Sequence, residues 1–149
     1  MQRLFVIAML AAALAASAGA QTAAESDICT ATPKDSKHVS GPHGLEGWTL
    51  ESVIPDYSDP RECFSFTLVL ARNGHVIRRR DAEPIIWSWL FWDDGRQVAI
   101  KEGPLHFGMN CVLEDVKSGR TVETYDCYHY PQGDAPVWLK ALDRVEDQR

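Results

Sequence analysis

The feature that most restricts the fold of this chain is a period of two: apolar residues recur at alternate positions in short runs, and glycine-bearing turns separate the runs. From Cys63 to Leu70, Phe64, Phe66, Leu68 and Leu70 point one way and Ser65 and Thr67 the other, as in a half-buried strand. Asn73-Gly74 follows at once. Both residues tolerate the positive φ of a tight hairpin turn, so His75 to Arg80 is expected to fold back on Cys63 to Ala71. Trp48 to Ile54 alternates in the same way ahead of the loop Pro55 to Pro60. Ile85 to Trp92 turns at Asp93-Asp94-Gly95 into Arg96 to Glu102, and Phe107 to Val116 turns at Lys117-Ser118-Gly119 into Arg120 to Tyr128. The expectation is a mainly β, single-domain antiparallel meander of about seven strands, either sandwich-like or a partly open barrel.

Ile85 to Trp92 is apolar on both faces and reads as a central strand covered on each side. One cover is the C-terminal segment. Trp138, Ala141, Leu142 and Val145 fall at helical spacing, with Asp134 as N-cap and Pro136 in the first turn, predicting one short helix over residues 136–146.

The N-terminus reads as a secretory signal over residues 1–20: Arg3 is the basic region, Leu4 to Ala16 the apolar region, and Ala18-Gly19-Ala20 the cleavage site. No cysteine follows that site directly, which disfavours lipid attachment, and no later run approaches the roughly 20 apolar residues of a membrane span. Residues 21–45 are polar, contain Pro33, Gly41, Pro42 and Gly44, and read as an extended lead-in tied down by Cys29, with the β-rich domain at 46–149. Periplasm or secretion from a Gram-negative cell is the expected location.

Without the leader, 14 basic residues face 21 acidic ones, a formal charge of −7, which argues against nucleic acid and anionic membrane surfaces as partners. Arg78-Arg79-Arg80, bracketed by Asp81 and Glu83, reads as the solvated end of a strand.

Cys29, Cys63, Cys111 and Cys127 are an even set in an exported chain, so two disulfides are expected, and no C-x-x-C spacing offers a redox or zinc motif. Cys111 and Cys127 lie nearly equidistant from the Lys117-Ser118-Gly119 turn, and a slightly bulged register would place them opposite each other. That favours Cys111 with Cys127 and Cys29 with Cys63; the two other connectivities stay open.

Trp87-Ser88-Trp89-Leu90-Phe91-Trp92-Asp93-Asp94-Gly95-Arg96-Gln97-Val98-Ala99, followed by Leu113-Glu114-Asp115-Val116-Lys117-Ser118-Gly119-Arg120, resembles one blade of the bacterial Tol-system β-propeller repeats of tryptophan-aspartate type. The resemblance covers about a quarter of the chain, with no second copy of either motif. A closed ring needs at least about four blades of roughly 40 residues. What the resemblance implies is a propeller-blade-like pair of hairpins, Ile85 to Tyr128, inside a larger meander.

Trp87, Trp89 and Phe91, aligned on one strand face with Trp92 beside them, form a candidate platform for a sugar ring or a peptide side chain; the competing reading is core packing. His106, with Asp93 or Asp94, and with His75 and His129 if the sheet ends coincide, is a candidate metal site without any preset ligand spacing. No Ser sits in a G-x-S-x-G elbow. Asp93 and Asp94, and Asp56, Asp59 and Glu62, read as turn formers. The sequence therefore points to a non-enzymatic envelope protein that binds a protein or glycan through Trp87, Trp89 and Trp92, without a cofactor. The alternatives are a metal-dependent hydrolase using His106 with Asp93 or Asp94, and a structural subunit that assembles through sheet edges.

Overall fold

In a computed structural model, which describes Cys29 and residues 38–54, 62–129 and 134–146, the chain forms seven antiparallel strands in sequential order and one helix. The leader at 1–20, most of the lead-in and the loop at 55–61 lie outside the described residues.

The strands are β1 (Val39–Ser40), β2 (Leu45–Ser52), β3 (Phe64–Arg72), β4 (His75–Trp92), β5 (Gln97–Gly103), β6 (Asn110–Asp115) and β7 (Thr121–Asp126), followed by helix α1 (Val137–Glu146). The number matches the expectation, but the strands divide differently. Val39–Ser40 pairs with Glu46 and Gly47, so the sheet reaches back into the segment expected to be a lead-in. The two runs expected as separate strands, His75 to Arg80 and Ile85 to Trp92, are one 18-residue strand, β4.

β4 is what curls the sheet into a half-barrel. Its first half pairs with β3, from Arg72 opposite His75 to Thr67 opposite Asp81, and the ladder resumes beyond a register shift at Ser65 opposite Ile86. Its second half pairs with β5, from Ile85 opposite Gly103 to Trp92 opposite Gln97. The residues of β4 between Asp81 and Ile86 outnumber those of β3 between Thr67 and Ser65, and there the strand bends. Beyond this bend the second half swings over the inner face of β2 and β3, so that Asp94, at the end of β4, meets His43, before the start of β2.

Period-two patterning then fills the interior. Leu45 from β2, Leu68 and Leu70 from β3, Ile86 and Trp89 from β4, Val98 and Ile100 from β5, and Val116 form one buried cluster inside the curl. The opposite face of β5 and β6, with Ala99, Cys111 and Leu113, packs under Ala135, Trp138, Leu139 and Leu142 of the C-terminal segment. The carbonyl of Pro136 accepts the first helical bonds, from the amides of Leu139 and Lys140, so Pro136 takes the cap position expected of Asp134. Lys101 pairs with Asp143, and the Trp138 indole N–H donates to Glu123 at 2.7 Å, tying the helix to β5 and β7.

The arginine run departs from its expected exposure. Arg79 is exposed, but the side chains of Arg78 and Arg80 are each only 14% exposed. On β5 the inward phase is Val98, Ile100, Glu102 and on β6 it is Val112, Glu114, so two carboxylates occupy positions that the pattern assigns to the interior. Arg78 and Arg80, inward on β4, meet them. Arg80 Nε donates to Glu114 at 3.0 Å and its Nη2 to Glu102 at 2.6 Å, while Arg78 pairs with Glu114 and donates from Nη1 to the Asp115 carbonyl at 2.9 Å. The carboxylate partners are thus Glu102 and Glu114 across the curl, while the flanking Asp81 offers Arg80 Nη1 its backbone carbonyl at 3.1 Å. Burial and the neighbouring Arg80 charge draw the Arg78 pKa below its ordinary value.

Cys29 is bonded to Cys63 and Cys111 to Cys127. The register shifts between Leu113 and Glu114, and Cys111 stands opposite Tyr125, so its bridge runs diagonally to Cys127, just past the end of β7. The Cα atoms are 5.6 Å apart, within reach of a disulfide. In the chain-entropy picture this bridge contributes about 3 kcal/mol. Two disulfides point to a non-reducing, exported compartment.

Candidate functional site

The bend in β4 brings four tight turns to one end of the half-barrel: His43-Gly44 before β2, Asn73-Gly74 between β3 and β4, Asp93-Asp94-Gly95 between β4 and β5, and Lys117-Ser118-Gly119 between β6 and β7. They enclose a cavity of about 510 Å³ lined by His43, Arg72, Ile77, Asp94, Arg96 and Lys117, with Gly95, Asp115 and Val116 completing it. Gly95 has to be glycine on two counts: its φ is +76°, and a Cβ there would stand 2.5 Å from Leu45 and 2.9 Å from Pro42.

Most charges at this end are already engaged. His43 Nε2 lies 2.7 Å from Asp94 Oδ2. Arg96 donates to Asp93 at 2.5 Å. Asp115 accepts from both the hydroxyl and the amide of Ser118, each at 2.7 Å, and these bonds hold its carboxyl below the usual carboxylate range. Among the described residues, Arg72 and Lys117 have no acidic partner.

A second cavity, of about 340 Å³, closes the opposite end, where Ile54, Phe66, Pro84, Ile85, Pro104 and Leu105 line it. It has no charged lining residue.

The aromatic strand follows the core-packing reading and not the candidate platform. The register of β4 against β5 shifts between Ile86 and Ser88, which leaves Trp87 as the extra residue and reverses the phase after it. Trp89 therefore turns into the core, fully buried, with Phe91 against it edge-on at 5.4 Å. Trp92 faces the other way and packs with Leu90 on the helix cluster. Trp87 is half-buried, meets Phe64 edge-on, and donates its indole N–H to the Gly103 carbonyl at 3.1 Å. The three tryptophans go to three separate places.

The proposed metal ligands are not brought together either. Asp93 and Asp94 precede β5 and His106 follows it. Seven strand residues at about 3.3 Å each put them on the order of 20 Å apart, far beyond a shared coordination sphere. His75 lies at the turn end, while His129 lies beyond β7 at the other end, paired with Asp126 at 3.0 Å. Among the described residues no group of three His, Cys, Asp or Glu is placed to hold a metal.

Comparison with protein-family models, with curated proteins and with solved structures gives no match. The site therefore has to be read from its own chemistry.

His43, Arg72, Arg96 and Lys117 escaped the sequence reading because they lie in four turns scattered over the chain. One signal was present: each of the four turns sets an imidazole or a cation beside its glycine-bearing segment, in His43-Gly44, Arg72-Asn73-Gly74, Gly95-Arg96 and Lys117-Ser118-Gly119. Only convergence of the turns makes that a site.

Proposed function

We propose that the protein is a non-enzymatic binding module of the bacterial envelope or secretome, which holds a protein or glycan partner at the turn end of its half-barrel. The observation that carries this reading is the open cavity of about 510 Å³, built by four turns that a disulfide-bonded sheet presents together. Binding residues grouped on loops above a fixed scaffold are the usual arrangement in such modules. The chemistry at hand suits recognition: His43 and Asp94 are both widely exposed, and the Ser118 hydroxyl is committed to Asp115. Periplasmic or secreted residence in a Gram-negative cell accords with the signal-like leader and the disulfides.

The test is capture of partners from envelope extract and from peptidoglycan by the disulfide-bonded protein, beside an Ile77→Trp variant that fills the cavity from an exposed position. A partner captured by the parent and lost by the folded variant supports the reading. Equal capture by both places the binding surface elsewhere.

A second reading, assembly through sheet edges, has one observation behind it: among the described residues β7 is an edge strand that pairs with β6 on one side, and Thr121, Val122, Thr124 and Asp126 on it are exposed. Light scattering that finds only monomer at micromolar concentration counts against it.

A further inference from the structure

We infer that the turn-end cavity takes an organic anion, an apolar body carrying a carboxylate or phosphate, with the body on Ile77 and Val116 and the charge between Arg72 and Lys117. This rests on the reading of the cavity as the binding site and adds the chemical class of what enters it.

The two cations of the cavity that are not engaged in an ion pair carry the argument. Of the six ionisable side chains that line it, Asp94 is held by His43, Asp115 by Ser118, and Arg96 by Asp93 from outside the lining. Arg72 and Lys117 are what remain, without an acidic partner among the described residues. They stand on different walls, since Arg72 ends β3 and Lys117 opens the turn after β6. Arg78 and Arg80 behind the wall add no free charge, because Glu102 and Glu114 neutralise them.

The uncharged part of the lining is apolar: Ile77 is half-exposed, Val116 is buried, and Gly95 contributes no side chain. An apolar floor under two unpaired cations discriminates among ligands. A neutral apolar ligand gains the floor alone, an amine meets only the carboxylates of Asp94 and Asp115, which already accept from or face His43 and Ser118, and an anion gains the floor and charge-assisted hydrogen bonds from Arg72 and Lys117 together. The planar guanidinium of Arg72 matches a carboxylate or phosphate edge, and Lys117 adds a point charge. The volume is within the range of roughly 300–1,000 Å³ that small-ligand pockets span.

The experiment is an NMR titration of the disulfide-bonded chain with four probes that share one tail: octanoate, octyl phosphate, octanol and octylamine. The expected result is that both anions shift the amides of Ile77, Gly95 and Val116 and bind at least about tenfold more tightly than octanol, a gap of about 1.4 kcal/mol, with octylamine weakest. In an Arg72→Gln, Lys117→Gln double variant the anions should fall to the octanol level while octanol is unchanged. A difference between octanoate and octyl phosphate reports which head group fits better. Octanol binding as tightly as the anions overturns the inference, as do undiminished anion binding by the double variant and shifts confined to Phe66 and Leu105 at the other end. Should the anions fail while Ile77→Trp still abolishes partner capture, the binding-module reading stands and the anion class falls; should Ile77→Trp also leave capture intact, both fall.

Discussion

Trp89 occupies the volume that residue 47 leaves empty: a Cβ on Gly47 would stand 2.5 Å from Cη2 of the tryptophan and 3.2 Å from Leu70 on the other side. The indole is fully buried and rigid, and Phe91 closes it from the edge, so neither neighbour can give way. Gly47→Ala is therefore expected to cost about 1–3 kcal/mol by overpacking, and Trp89→Ala about 3–5 kcal/mol by opening a cavity. Urea unfolding followed by near-ultraviolet circular dichroism measures both. A Gly47→Ala protein as stable as the parent would show that the indole does not sit against β2.

The buried ion quartet makes a sharper prediction. Glu114→Ala leaves Arg78 and Arg80 inside with one carboxylate between them, and breaking a buried pair in this way costs about 3–5 kcal/mol. Replacing all four members at once, Arg78→Met, Arg80→Met, Glu102→Leu and Glu114→Leu, removes the desolvation cost together with the pairing. That protein should be less destabilised than Glu114→Ala alone, even though the Glu83 amide loses its bond to Glu102. Denaturant midpoints of the two variants decide the matter; the reverse order would mean that the pairs stabilise the fold beyond their desolvation.

Acid should weaken the turn end through Asp115. Its folded pKa is depressed, first by the Ser118 hydroxyl and then by the Ser118 amide. The folded state thus binds that proton less readily than the unfolded chain, and the contribution is fully present above the ordinary carboxylate range and lost as pH falls through the depressed value. Asp126, held down by His129 and the Tyr128 amide, acts in the same sense. Between about pH 5 and pH 2 the parent should lose more stability than Asp115→Asn, as read from urea midpoints at each pH. Parallel pH profiles would remove Asp115 from the account.

Much of the architecture was legible in local pattern. The alternation in β3, the Asn73-Gly74 turn, the two later glycine turns and the amphipathic face of α1 each depend on residues a few positions apart, where backbone sterics and a two- or 3.6-residue period decide the outcome. The separation of Ser88, Leu90 and Trp92 from Trp89 and Phe91 was legible only in part, because one bulge at Trp87 reverses the phase and no local signal marked it.

By itself, then, the sequence determined that this chain is an antiparallel meander with a short closing helix, because strand, turn and helix follow from short-range pattern. Tertiary structure decided what the pattern could not reach. The bend in β4 turned an arginine run expected to be solvated into an interior quartet with Glu102 and Glu114, the bulge at Trp87 sent Trp89 to the core, and the length of β5 set Asp93 and Asp94 at the opposite end of that strand from His106. The same bend gathered His43, Arg72, Arg96 and Lys117 into one cavity. The physical reason is that burial and charge pairing depend on which residues meet across the curl, and those residues are separated by dozens of positions along the chain.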